Sequence, residues 1–419
     1  MKEEVALRKF PYPFNAAVAI CSDIDNTKTL NRFLAIQEFL NTTNDTPTGP
    51  GIGLEIGNTF FPHSPDDSFA YFSSRTEDRE VIECLIKSGF IDCIHSYGDG
   101  AYSRADALKT LDELERTGCK IDVWVDHARA PSNFGTDVTP GRGDIVQSSI
   151  YHADVTLAYG IKFVWKGRVS SVVGHGVPFS VGSFSRIFDQ AHPGHSLFNI
   201  AREFAKTLLA YFGTRRFSLL RSNELLQIAT LKDGQQVFEF KRCNNHWRGL
   251  SYGHDSAGLA YVLRRKALDD LISSGGYMIV YTHIGVGPQH RPYLPPITQT
   301  ALRGLADAYQ SGDIYVTTTS RLLNYYLNRR YLQWSHEIDD EGCTRIAIRS
   351  VADPLFGSRL PTAEQLQGIT FYVPDRHKVQ VYLGDNQKIQ IERNSADQTG
   401  RESVMIPRTF LTYPMISNY

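Results

Sequence analysis

The sequence predicts an α/β protein, an irregular (β/α) barrel of about seven or eight strands carrying a small C-terminal antiparallel β module. Three observations lead there. Short, uniformly apolar runs alternate with helix-like stretches along most of the chain, as strands of a parallel sheet covered by helices should. Each run ends in a Gly- or polar-rich turn. From about Arg345 the pattern changes to short strands separated by Pro, Gly and Asn/Asp turns, with no helix between them. The expected division is a barrel over residues 1–340 and a β-rich module over 341–419. A doubly wound open sheet competes, but no G-x-G-x-x-G turn succeeds the first apolar run.

AAVAICSDID, from Ala16, is the first strand, and GLEIGN, from Gly53, a candidate second. The helical stretch REVIECLIKSG stops on Gly89 before the strand IDCIHSYG. In SRADALKTLDELERTG, Ser103 can cap the start and Gly118 the end, before the strand KIDVWVDH. GIKFVW, VFEFKRC, GYMIVYTHIG and GDIYVTTTS supply further strands. Asp233-Gly234 is a hairpin signal inside an insertion within the barrel.

Composition removes several function classes. Hydrophobic residues make up 42% and charged residues 21% of 419, which suits a chain with a real core and excludes a disordered, collagenous or coiled-coil whole. Lys+Arg 44 against Asp+Glu 45 gives no global field for nucleic acid. No apolar stretch reaches the roughly 18 residues of a membrane span. The N-terminal MKEEVALRKFPYPFN does not resemble a secretory signal, and the six cysteines form no CxxC pair. A cytoplasmic setting is expected.

In parallel barrels the chemistry lies at the C-terminal ends of the strands, so the polar residues that close each run are the candidates. The first run ends in Asp23-Ile-Asp25, the third in His95-Ser-Tyr-Gly-Asp99, and the fourth in His127-Ala-Arg129-Ala-Pro131. Later runs end in Arg242-Cys243 and in Tyr281-Thr-His283. Asp23 and Asp25 share one face in extended backbone, and two like charges so close call for a cation or a proton. That favours a base plus a metal ligand, against a helix-start turn built by DIDN. His95 and Asp99, four apart, can reach one point as half of a divalent-metal site. Alone, such a pair is more readily a capping acid beside a backbone-bonded histidine; Asp25 on the neighbouring strand end tips the reading toward metal. Arg129 can orient the base or bind an oxyanion, or form a structural salt bridge. His283 is placed as a general acid. His127 and Arg242 are candidate substrate contacts, and GNTFFPHSP a candidate aromatic wall.

In this order the pieces resemble the polysaccharide deacetylase (NodB-homology) superfamily over roughly Phe10 to Trp334. In that family two adjacent acids close the first strand; here Ile24 separates Asp23 from Asp25. The family's His-(Ser/Thr)-x-x-His motif is similar to HSYGD, with Asp99 in the second ligand position. Arg129-Ala-Pro131 resembles its Arg-x-Pro motif, Tyr281-Thr-His283 its late histidine motif, and GDIYVTTTSRLLNYY its last strand and helix; its tryptophan-bearing fourth motif is not found. The resemblance implies one divalent metal, zinc or alternatively manganese, nickel or cobalt, held by Asp25, His95 and Asp99. It implies Asp23 as base, and hydrolysis of an N-acyl (acetyl or formyl) group on a sugar of surface-polysaccharide or glycolipid metabolism. Two other readings remain: a glycoside hydrolase, with Glu55 as the second carboxylate, and a non-catalytic glycan-binding protein of the same fold.

Overall fold

The computed structural model describes residues 5–64, 69–249, 252–384 and 386–416. The chain divides into two compact units. One comprises Val18–Ala308, Val316–Ser320 and the residues from Leu411 onward; the other comprises the residues up to Ala17, Tyr309–Tyr315 and Arg321–Phe410.

The larger unit is organised by an eleven-stranded sheet. Its strands in chain order are β1 (Ala16–Ser22), β2 (Asn58–Phe60), β3 (Ile91–His95), β4 (Val123–Val125), β5 (Phe163–Trp165) and β6 (Val169–Ser170). They continue with β7 (Leu226–Thr230), β8 (Gln236–Phe240), β9 (Arg242–Cys243), β10 (Tyr277–Thr282) and β11 (Ile314–Val316). The hydrogen-bonded path runs β7-β8-β5-β4-β3-β2-β1-β10-β9-β6, with β11 also on β1. The steps from β1 through β5 to β8 are parallel, and β7 and β8 form an antiparallel hairpin. Its turn carries Gly234 at φ 92°, a conformation that favours glycine. The second strand lies at Asn58–Phe60, after GLEIG rather than within it.

The sheet curls but is not a closed barrel. β8 sits near one end of the path and β9 near the other, although a single residue, Lys241, separates them in the chain. The Lys241 N–H donates to Leu225 O, which extends the β7–β8 pairing by one residue, whereas the next N–H, of Arg242, donates to Arg168 O beside β6. The backbone therefore spans the seam where an unbroken ladder would close it. Helix boundaries obey capping chemistry. Ser103 caps Arg104–Thr117 by accepting from Asp106 N, and Gly118 ends it in a left-handed turn. Gly275 ends Arg265–Ser274 in the same way, directly before β10. A continuous apolar cluster, including Phe33, Ile82, Leu85, Ile94, Leu111 and Trp124, packs helices against the sheet.

The smaller unit holds two sheets. Ala6–Leu7, Thr370–Tyr372, Ser403–Met405 and Glu392–Asn394 form an antiparallel one. Leu332–Ile338, Thr344–Asp353, Gly357–Arg359, Val379–Leu383 and Gln387–Lys388 form the second. That second sheet is mixed, because Thr344–Ile348 pairs in parallel with Val379–Leu383. The expectation of a wholly antiparallel module is corrected at this pair. About thirty residues between the two paired segments carry the chain back to its starting edge, which no tight hairpin could do. Ile346, Ile348, Val351, Phe371, Val381 and Val404 are among its buried core.

Candidate metal and acid–base site

Four strand ends deliver the cluster. β1 runs out into Asp23 and Asp25, β3 ends on His95, and His127 lies two residues beyond β4. His283 directly follows β10, whose Thr282 O accepts from Asp23 N, while Ser22 Oγ accepts from Ile284 N. The β1 and β10 ends are thereby clamped to each other. Asn26, Ser96 and Ala128 are the three non-glycine residues with positive φ among the described residues, at 57°, 54° and 37°. Each directly follows one of Asp25, His95 and His127. Such conformations cost roughly 1–3 kcal/mol each and persist where the surroundings enforce them, often at functional sites.

Asp23 is buried and bidentately paired to Arg242, with Nη1–Oδ2 at 2.7 Å and Nη2–Oδ1 at 2.9 Å. Arg242 is 0% exposed and lies over the Trp165 ring at 4.2 Å, with Nη2 also donating to Cys21 Sγ. Its charge is stabilised against burial by Asp23. Full burial corrects the expectation that Arg242 contacts substrate: its fork is committed to a carboxylate. Arg129, expected to orient the base, is exposed, and the guanidinium that holds Asp23 comes from Arg242.

Around Asp25, groups that could hold a metal ion converge. His127 donates from Nε2 to Asp25 Oδ1 and from Nδ1 to Asp99 Oδ1, both at 2.8 Å. Burial opposes the charge on His127, but these two carboxylates outweigh it and raise its pKa to about 10. Asp25 is lowered to about 2: burial pushes it up, and the His127 bond with the neighbouring imidazoles more than compensates. His95 is pushed well below the usual histidine range by burial and by His127, so it presents a neutral ring. Asp25 Oδ2, His95 Nδ1 and His283 Nδ1 are buried without a hydrogen-bond partner. Asp25 Oδ2 and His95 Nδ1 face each other at 3.8 Å. Buried polar atoms are ordinarily satisfied, and two orphaned lone-pair donors this close fit a shared cation.

Asp25, His95 and His127 bring ligand atoms within 4.8 Å of one another, and so do Asp23, Asp25 and His283. The first set, with one carboxylate and two imidazoles, has the donor composition zinc favours. The proton on His127 Nε2 occupies the direction in which such an ion would bind. Asp99 is not in either set. It bonds the far nitrogen of His127, as a supporting carboxylate does for a metal-bound imidazole. The expected ligand set Asp25–His95–Asp99 is thus revised at its third member. His283 Nε2 stands 3.7 Å from Asp23 Oδ2 and 3.5 Å from Asp25 Oδ2, bridging the two aspartates.

Further residues complete the surroundings, some of them in segments the sequence had pointed to. The Phe61 ring stacks on His95 at 4.7 Å and meets His127 edge-on, so the FF segment walls the imidazoles and is buried beneath them. His254 packs at 5.0 Å from His283, and its carbonyl accepts from the His283 N–H. Asp126 accepts from Trp124 Nε1, Phe134 N, Gly135 N and Thr139 Oγ1, fixing the loop that carries His127. Glu55 accepts from Thr317 Oγ1 and from Leu411 N, one bond to each oxygen. The glycosidase reading needs that carboxylate at the bond, and it is committed to these partners. No family model, curated protein or solved structure matches the chain.

Proposed function

We propose that this protein is a metal-dependent amidohydrolase that removes an N-acyl group, acetyl or formyl, from a sugar, as a divergent member of the polysaccharide deacetylase superfamily. The observation that carries the reading is the meeting of two aspartates and three histidines at neighbouring strand ends, one aspartate locked by a buried arginine and the other facing the orphaned Nδ1 of His95. Where the resemblance implied Asp25, His95 and Asp99, the Asp25–His95–His127 set offers one carboxylate and two imidazoles. These three residues would hold the divalent ion, zinc or a harder substitute such as manganese, nickel or cobalt. When bound there, the ion polarises the acyl carbonyl and makes water a nucleophile near neutral pH.

The chain's own residues supply the rest. Asp23 takes the proton of the attacking water, and the Arg242 fork fixes its orientation. His283, beside both aspartates, gives a proton to the amine nitrogen as the C–N bond breaks, releasing the free acid and the aminosugar. Each of these proton transfers is worth roughly 10²–10⁴-fold.

The test pairs two measurements on the full chain. Elemental analysis after reconstitution should give one divalent ion per chain, and N-acetylated or N-formylated aminosugars should yield acetate or formate. Absence of bound metal refutes the reading. Bound metal without acyl release from any such sugar would assign the fold to glycan binding instead.

A further inference from the structure

The helix Pro193–Tyr211 is inside out. Its buried positions are Ser196, Asn199, Glu203 and Ala210, whereas a helix on a globular protein ordinarily turns its apolar stripe to the core. Its exposed face carries Leu197, Phe198, Phe204, Leu208, Leu209 and Tyr211, continued by Phe212, which is 79% exposed. Specific polar bonds hold it this way round. Asn199 Nδ2 donates to Trp247 O at 2.5 Å, and Ser196 Oγ accepts from Asp189 N. Monomers seldom expose so large a contiguous apolar patch unless it is used.

Two further features indicate what covers it. The sequence from Pro193 to Arg221 contains Arg202, Lys206, Arg215, Arg216 and Arg221 against a single acid, Glu203; Glu203 is buried between Lys206 and Arg202, and its one negative charge leaves the segment with a surplus of positive charge. In addition, Trp247, which receives the Asn199 bond, lies on the loop leaving the C-terminal end of β9. That is the rim where Arg242 holds Asp23. We propose that this face is a docking surface for an anionic lipid bilayer, with the helix lying in the headgroup region and its Phe and Leu side chains reaching the acyl boundary. Apolar burial combined with cation attraction is the recognised chemistry of interfacial helices. A symmetric pair of copies would bring the same cations together, whereas anionic headgroups neutralise them. No helix among the described residues is long and apolar enough to cross a membrane, so the contact is interfacial. Resting on the deacylase reading, the substrate is then a membrane-anchored N-acylated glycolipid, met where its headgroup projects.

The experiment is flotation of the full chain with vesicles. Vesicles of equal parts phosphatidylglycerol and phosphatidylethanolamine should carry the protein upward, those of phosphatidylcholine alone far less, and added salt should weaken binding. The double variant Phe198→Glu, Phe204→Glu should lose vesicle binding by at least about tenfold, since each residue removes a full apolar side chain from the contact. Both sites are exposed, and an unchanged circular dichroism spectrum checks the fold. Phe356→Glu, at an exposed residue of the smaller unit, should bind as the unsubstituted chain does. Failure of the unsubstituted chain to float, or undiminished floating of the double variant, overturns the proposal. So does a vesicle-free dimer that the double variant converts to monomer, which would assign the face to a second copy. Flotation requires no turnover, so its outcome is separable from that of the deacylase reading.

Discussion

Asp99 and His127 separate two descriptions of the metal centre. The i, i+4 spacing of His95 and Asp99 makes Asp99 a ligand. The structure puts the Asp99 carboxylate on Nδ1 of His127 at 2.8 Å and turns the opposite nitrogen toward Asp25. A supporting carboxylate of this kind orients the ring and raises its basicity, and its loss typically costs 10–100-fold in metal affinity. For Asp99→Asn that is about 1.4–2.7 kcal/mol at tenfold per 1.4 kcal/mol. The amide can still face Nδ1, so the lower end is expected. His127→Ala and His95→Ala each delete a ligand and should abolish stoichiometric binding. The assay is competition with a chromophoric zinc chelator, then elemental analysis of desalted protein. If Asp99→Asn strips the metal as completely as His95→Ala does, while His127→Ala retains it, the structural assignment is wrong and the spacing argument right. If Asp99→Asn leaves affinity unchanged, the Asp99–His127 bond has no part in holding a metal.

Three other outcomes are expected. Asp23→Asn should keep metal while lowering acyl release by roughly 10²–10⁴-fold, and Arg242→Met should destabilise the fold by about 3–5 kcal/mol in urea unfolding because it strands a buried carboxylate. The pair Asp23→Asn, Arg242→Met should recover part of that loss, and strictly additive effects would disprove the pairing. Asp126→Ala orphans three buried N–H groups and should cost roughly 3–9 kcal/mol, weakening metal binding through the His127 loop; wild-type affinity in a destabilised variant would remove that coupling. Burial raises Asp92 to about 7, with Asp122 adding to it against bonds from Ser320 N and Cys93. Its folded form therefore binds the proton more tightly than the unfolded chain, and the stability it contributes is present below pH about 4 and lost as pH rises through 7. Asp92→Asn should gain on the unsubstituted chain across that window by at most about 1.4 kcal/mol per pH unit; parallel stability curves would show Asp92 does not titrate there.

The features legible in the sequence are local. Ser103, Gly118, Gly275 and Asp233-Gly234 announce their caps and hairpin because a single residue's backbone preference decides each. The rim is legible for a similar reason: a buried apolar run must end somewhere, and the first polar residues after it mark the sheet's C-terminal edge. The rest depends on contacts between distant strands. Arg242 reaches Asp23 only because β9 lies beside β10, and β10 beside β1; no spacing encodes that, whereas Arg129 sits in a tripeptide with a family motif's pattern. The gap in the barrel falls where the chain changes partners, Lys241 bonding back to Leu225 and Arg242 to Arg168, and nothing in VFEFKRC signals it.

The third ligand shows why spacing misleads. Four residues on a helix would bring His95 and Asp99 to one face, but the chain does not enter a helix there. Ser96 takes a left-handed turn at φ 54° and Gly98 another at φ 81°, and the chain passes so close to the His63 carbonyl that a Cβ on Gly98 would lie 1.6 Å from it. Asp99 is thereby carried past Asp25 to the outer side of His127. Asn26 and Ala128 turn left-handed at the corresponding places after Asp25 and His127. Asn tolerates this conformation, but Ser and Ala carry no sequence preference for it, so two of the three turns could not be foreseen. Their shared position is informative because the cost recurs. A fold that needed only to leave each strand could do so through a glycine. Three strained turns, each directly after a side chain that faces the same point, indicate that the direction of those side chains is what the local backbone has been shaped to fix.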